Sequence, residues 1–184
     1  MKKKLIFLDR DGVIIRFPGV GRYVTRWSQF RFVPKSRQAI ALLTKAGYEV
    51  VVISNQGCLS RGLLSRAMLT RMTHSMKKQV EKMGGRLDQV RYCPHQSADR
   101  CECKKPKQAL VRRALRRRRM DMRSVFFIGD SEEDMGAGKN AGCRTILVLS
   151  GRNKRSDVAA LAVKPDVVKK NLWEAVHWIL AKKS

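Results

Sequence analysis

The chain has 184 residues, 43% of them apolar, enough for one soluble domain that buries a core without disulfide staples. Lys and Arg number 40 against 15 Asp and Glu, a formal net charge of +25, so anions are drawn to the surface: phosphorylated substrates, nucleic acids or anionic membranes. No apolar run reaches the roughly 18 residues that span a bilayer, and five cysteines cannot all pair, which argues against a secreted disulfide framework.

Met1 to Lys4 followed by Leu5–Leu8 has the outline of a signal peptide. Its apolar stretch stops at Asp9-Arg10-Asp11 and no small-residue cleavage site follows, so a buried strand and a cytoplasmic protein are expected instead. Further short strands are expected at Val50–Ile53, Gln89–Tyr92, Val125–Ile128 and Thr145–Leu149, each rich in β-branched or aromatic residues. Helical patterns lie near 35–46, 60–83, 107–120, 132–141 and 172–181, with Gly47, Gly84-Gly85 and Gly142 at helix ends. This alternation predicts an α/β three-layer sandwich, a mainly parallel sheet covered by helices on both faces. Such sheets bind ligands beyond the carboxyl ends of their strands. With no internal repeat and no linker, residues 1–184 read as a single domain.

The densest basic run, Arg112-Arg113 and Arg116–Arg119, falls on the expected helix 107–120. So many cations around one helix cannot share a binding face, and aromatics are not interleaved with them. A solvated basic surface is therefore favoured over a nucleic-acid patch.

Chemistry-bearing residues follow the strands. The first strand ends in Asp9-Arg10-Asp11-Gly12, the second in Ser54-Asn55-Gln56-Gly57, and the fourth in Gly129-Asp130-Ser131-Glu132-Glu133-Asp134, while Lys104-Lys105-Pro106 opens the helix before the fourth. Carboxylates, a hydroxyl, an amide and a cation thus reach one edge of the sheet. A phosphate monoester is doubly charged and repels an anionic nucleophile, so a hard dication must neutralise both. Asp9 and Asp130, with the backbone carbonyl of Asp11, are candidate Mg2+ ligands. Asp9 is the candidate nucleophile, forming an aspartyl-phosphate, and Asp11 the acid/base. Ser54 and Lys105 are expected to hold phosphoryl oxygens, and Asp134 either positions Lys105 or completes the magnesium shell. Singly, these acids would read as turn formers and helix caps.

A second constellation is Cys93-x-His95, five residues, then Cys101-x-Cys103. Three thiolates and one imidazole can close a tetrahedral zinc shell with no open position, a structural site pinning loop 93–103 just before Lys105.

In this order the motifs resemble the haloacid dehalogenase-like (HAD) phosphatase superfamily over nearly the whole chain. Phe7-Leu8-Asp9-Arg10-Asp11-Gly12-Val13-Ile14, Ser54-Asn55-Gln56 with Arg61-Gly62, and Tyr92-Cys93-Pro94-His95 look like the heptose bisphosphatase and histidinol phosphatase subgroup. The resemblance implies a five-stranded Rossmann-like, HAD-like core with a minimal cap. It also implies substrate contacts at Asn55, Arg61 and Lys104. Lys104 stands where the subgroup usually has arginine, and Ile15 where asparagine is common. The segment from Arg16 to Phe32 has room for a small flap only. A monomeric D-glycero-D-manno-heptose 1,7-bisphosphate 7-phosphatase of carbohydrate metabolism is the expected function. Histidinol phosphate and 3′-phosphorylated nucleic acid are the alternative substrates.

Overall fold

The computed structural model describes residues 4–115 and 120–182; the arginines at 116–119 and the first three residues lie outside them. Among the described residues, β1 (Lys4–Leu8), β2 (Tyr48–Asn55), β3 (Gln89–Cys93), β4 (Phe126–Gly129), β5 (Arg144–Val148) and β6 (Val167–Lys169) form one sheet, ordered β3-β2-β1-β4-β5-β6. All five pairings are parallel, with Ile6 beside both Val50 and Phe126, and Leu8 beside Val52 and Ile128.

Near-continuous apolar runs make these strands, because a parallel sheet is covered on both faces. Alternate side chains serve the two layers. Ile6, Leu8, Val50, Val52, Ile128 and Ile146 pack under α1 (Ser36–Lys45), α2 (Arg66–Glu81) and α5 (Leu172–Ala181) through Ile40, Leu43, Met76 and Val176. Leu5, Phe7, Val51, Ile53 and Phe127 pack under α3 (Ala109–Leu115) and α4 (Glu132–Asn140) through Leu110, Val111, Ala114 and Ala137. The three-layer sandwich follows. No helix among the described residues is long and apolar enough to cross a membrane.

Three expectations change. The sheet has a sixth strand: Val167–Lys169 is too short, and too closely flanked by lysines, to show a period. It is held by pairing with β5 and by Asp166, whose carboxylate accepts from Thr145 N at 2.7 Å and Oγ1 at 2.9 Å. Helix α2 starts at Arg66 rather than near residue 60, because Ser65 caps it through Met68 N (3.1 Å). The residues before it are spent on turns, with Leu63 N donating to Cys58 O at 3.0 Å. Helix α3 starts at Ala109, two residues later than its pattern, and residues 116–119 of the expected helix lie outside the described residues.

Chain order decides where a ligand can sit. From β1 the chain winds outward through β2 to β3, then returns to the other side of β1 and winds through β4 and β5 to β6. The carboxyl ends of β1 and β4 therefore flank the point where winding reverses, which opens a crevice. Over it folds a short flap. Arg16 N donates to Arg31 O at 2.7 Å and Trp27 stacks on Phe30 at 4.6 Å between ring centres. Phe17, Pro18 and Tyr23 of this flap line the crevice mouth.

Candidate active site and metal centres

Asp9 leaves the end of β1 and Asp130 the end of β4, both buried. Between them rises Lys105, 4% exposed, whose Nζ donates to Asp9 Oδ1 (2.6 Å), Asp134 Oδ1 (2.5 Å) and Ile53 O (3.0 Å). Those two carboxylates hold the ammonium charged, above the ordinary lysine range, although burial opposes them. Asp134 has its other oxygen filled: Oδ2 accepts from Asp130 N, Ser131 N and Ser131 Oγ, closing the capping box of α4. Asp134 thus positions Lys105, and it also stands with Asp9 and Asp130 in one group of carboxylates that could hold a metal ion.

Three buried carboxylates around one ammonium leave an excess of negative charge. Burial first, then Asp134 and Asp11, outweigh Lys105 and push Asp9 up to about 7. Burial and the neighbouring Asp134 and Asp9 push Asp130 up to about 8. Such a cluster is completed by protons or by a dication, and its hard oxygen donors fit Mg2+.

Close packing shapes this corner. Gly12 has φ +81°, and a Cβ there would lie 2.1 Å from Asp130 Oδ2. Opposite, the loop after β5 presses on the same carboxylate: Gly151 leaves no room for a Cβ, and Arg152 N donates to Asp130 Oδ2 at 2.7 Å. Asn153 Nδ2 donates to Asp130 O at 2.8 Å, and Ser150 Oγ to Gly12 O at 2.6 Å. Sequence reasoning assigned nothing to Ser150-Gly151-Arg152-Asn153. The signal was their position after β5, on the same edge of the sheet.

Asp11 points to the other wall of the crevice. Its carboxylate accepts from Arg10 Nη2 at 2.9 and 3.0 Å, from Arg10 Nε at 3.3 Å, and from Gln56 Nε2 at 2.8 Å. Arg10 is 1% exposed and lies over the Tyr92 ring. Ser54 is buried beside them and its Oγ lies 3.1 Å from Gln56 Nε2. The Asn55 side chain is committed to the backbone of Lys105, accepting from its N at 3.0 Å and donating to its O at 3.3 Å. Asp9, Asp11, Ser54, Asn55, Lys105 and Asp130 therefore line one cavity. Arg61 and Lys104 stand apart in the adjoining cavity with Tyr23, Gln96 and Arg152. There Arg61 Nε donates to Gln96 Oε1 at 3.0 Å.

The second constellation also assembles. Cys93 Sγ lies 3.8 Å from His95 Nδ1, 3.6 Å from Cys101 Sγ and 3.2 Å from Cys103 Sγ. Cys103 Sγ lies 3.2 Å from His95 Nδ1 and 3.6 Å from Cys101 Sγ. These are edges of a tetrahedron: a centre about 2.3 Å from each sulfur puts the sulfurs about 3.8 Å apart. They are far longer than a disulfide bond, and all five cysteines are free. Burial pushes the Cys93 thiol up to about 12. At Cys101, burial is outweighed by the N–H groups of Lys104 and Cys103, which bring it down to about 7. Four soft or imidazole donors at these distances can hold a metal ion. The cluster touches the crevice on two sides, because Gln56 N donates to Cys93 O at 2.7 Å and Cys103 lies two residues before Lys105.

Residues 102–175 match the HAD-hydrolase-like family model. The chain is 38% identical over 153 residues to a D-glycero-beta-D-manno-heptose-1,7-bisphosphate 7-phosphatase of Bordetella bronchiseptica, covering 83% of this chain and 84% of that one. To its namesake in Pseudomonas aeruginosa it is 34% identical, covering 85% and 86%. The chain belongs to the heptose-bisphosphate phosphatases of the HAD-like hydrolases. Solved members of this family share the fold. The B. bronchiseptica D,D-heptose 1,7-bisphosphate phosphatase, complexed with magnesium and phosphate, matches with TM-score 0.89 at 36% identity, covering 97% of this chain and 99% of that one. The Burkholderia thailandensis phosphatase matches with TM-score 0.73 at 30% identity, with the same coverage. The catalytic chemistry of the family is phosphate-ester hydrolysis, and the resemblance read from the motifs stands.

Proposed function

We propose that the protein is a Mg2+-dependent phosphomonoesterase that removes the 7-phosphate of D-glycero-D-manno-heptose 1,7-bisphosphate. The observation that carries this reading is the Lys105 ammonium, holding one oxygen of the Asp9 carboxylate at the switch point beside Asp130. Lys105 engages Oδ1 and leaves Oδ2 to attack. Asp9 and Asp130, with the Asp11 carbonyl, would hold Mg2+, which when bound supplies positive charge to both nucleophile and phosphate. Asp9 Oδ2 forms a bond to phosphorus as the ester P–O bond breaks, and its electron pair leaves on the sugar oxygen. Asp11 supplies the proton that this oxygen takes up. It then accepts a proton from the water that attacks the aspartyl-phosphate, freeing phosphate and Asp9. Ser54 Oγ faces the phosphoryl oxygens on which charge accumulates, and Lys105, its three N–H bonds given to Asp9, Asp134 and Ile53, supplies positive charge beside them. Arg61 and Lys104, in the adjoining cavity, are placed to meet the rest of the substrate.

Zn2+ fills the Cys93, His95, Cys101 and Cys103 quartet in this reading and does no chemistry. It fixes the loop that delivers Lys105 and the carbonyl that anchors Gln56. The test is a phosphatase screen with Mg2+ over both heptose bisphosphate anomers, histidinol phosphate and 3′-phosphorylated DNA, run on wild type and Asp9→Asn. The heptose bisphosphate is expected to dominate, with activity lost in Asp9→Asn. A dominant rate on another compound overturns the substrate, and an active Asp9→Asn overturns the mechanism. Purified protein should carry about one equivalent of zinc; a zinc-free but fully active protein would sink the four-ligand site.

A further inference from the structure

Gln56 is a buried group on the crevice wall to which the chemistry above gives no part. It is 1% exposed at the end of β2, its backbone N fixed to Cys93 O at 2.7 Å. Its side-chain oxygen is engaged by the Cys58 thiol at 3.6 Å. That contact identifies Oε1 as the acceptor and turns the NH2 group toward Asp11 and Ser54. The two N–H bonds then have one partner each: Asp11 Oδ2 at 2.8 Å and Ser54 Oγ at 3.1 Å.

Two consequences follow from donor and acceptor counting. Because Ser54 Oγ accepts from Gln56, its own O–H is free to point into the crevice, where the phosphoryl group binds. Because Asp11 takes donors from Arg10 on both oxygens and from Gln56 on Oδ2, its carboxylate is held in one orientation on the crevice wall. A single amide thereby sets two groups with different tasks, one at the leaving oxygen and one at the phosphoryl oxygens.

We propose that Gln56 is a positioning residue for the hydrolysis, orienting the Asp11 acid/base and the Ser54 hydroxyl together through its one NH2 group. This rests on the reading of Asp11 as acid/base given above. The effect differs between substrates. An alkyl ester such as a sugar phosphate leaves as a poor, strongly basic alkoxide and needs the Asp11 proton, whereas p-nitrophenolate leaves unaided. Loss of the Asp11 alignment therefore slows alkyl esters selectively. Loss of the Ser54 alignment weakens phosphate binding for both substrate types.

The experiment compares kcat for a sugar phosphate and for p-nitrophenyl phosphate in wild type, Gln56→Met, Gln56→Glu, Asp11→Ala and the Gln56→Met/Asp11→Ala double variant. The ratio of the two rates in one sample does not depend on how much of that sample is folded, so a partly unfolded variant still reports. In Gln56→Met the alkyl-to-aryl ratio should fall by about tenfold or more, as expected when an acid is misplaced by about 1 Å. Inhibition by inorganic phosphate should weaken alongside it. Gln56→Glu keeps the shape but loses the N–H groups, and its ratio should fall in the same direction. In the Asp11→Ala background, Gln56→Met should change the ratio no further, the non-additivity of groups acting as a unit. A collapsed ratio in Asp11→Ala beside an unchanged one in Gln56→Met would overturn the inference alone. An unchanged ratio in Asp11→Ala would overturn the acid/base reading and the inference with it.

Discussion

Lys105 sits between Asp9 and Asp134 with almost no exposure, so its cation is the counter-charge of the whole cluster. Replacing it with a same-length apolar side chain, Lys105→Met, strands both carboxylates. A loss of about 3–5 kcal/mol is expected in metal-free buffer near pH 8, read from urea unfolding. At pH 5, where Asp9 holds a proton, the loss should shrink. The same groups set the pH response of the wild type. Asp9 and Asp130 are raised from 3.8 to about 7 and about 8, chiefly by burial. Above pH 4 the unfolded chain ionises these carboxylates while the folded one keeps their protons, so the native state binds more protons. Stability of the metal-free protein should therefore fall as pH rises from 4 to about 8, then level off. In the proposed reading Mg2+ is held by the deprotonated carboxylates, so its stabilising effect should grow over that window. Melting temperatures with and without Mg2+ at pH 5 and pH 8.5 test this; a larger Mg2+ effect at pH 5 contradicts it.

Helix α4 carries Asp134 and lies unusually close to the sheet. Gly138, inside the helix, faces Thr145 Cγ2 and Phe127 Cβ, which a new Cβ would meet at 2.6 and 2.9 Å. Gly138→Ala thus opposes two effects. Alanine gains about 1 kcal/mol of helix propensity, while overpacking a filled core costs about 1–3 kcal/mol. The contacts are well inside van der Waals range, so the second wins. A net loss of about 1 kcal/mol or more is expected, with lower activity because α4 carries Asp134 away from Lys105. Loop 93–103 answers to a different constraint. Its polar residues pack little, so a strong thiophilic chelator should abolish activity that added Mg2+ alone does not restore, with tryptic cleavage at Arg100 as the structural readout.

Across the molecule, the net charge of +25 is carried on a surface with few acids to answer it. Long-range attraction of a bisphosphate, each of whose phosphates is doubly charged, follows and is screened by salt. The heptose bisphosphate kcat/KM should fall several-fold between about 20 and 200 mM salt, while kcat holds, since the buried site is shielded. A salt-independent kcat/KM would make the charge a matter of surface composition only. DNA binding measured over the same range asks whether the field also recruits polyanions.

Periodicity and strand-end motifs determined much of this protein from the sequence alone. Apolar runs of four or five residues dictate buried parallel strands, and Asp9, Asp11, Ser54 and Asp130 stand at or just past their ends, so one sheet edge must collect them, with Lys105 joining from the segment before α3. The cysteine spacing foretold the Cys93, His95, Cys101 and Cys103 cluster in the same way, because a short loop keeps four donors close together. What only the tertiary structure decided are pairings between residues with no sequence relation. The sixth strand exists by its hydrogen bonds to β5 and not by its pattern. Asn55 binds the backbone of Lys105 fifty residues away, and the loop after β5 closes on Asp130. Gln56 meets Asp11 from another strand end because a hydrogen bond needs atoms within about 3 Å in a set direction, a condition that residue types and spacing do not contain.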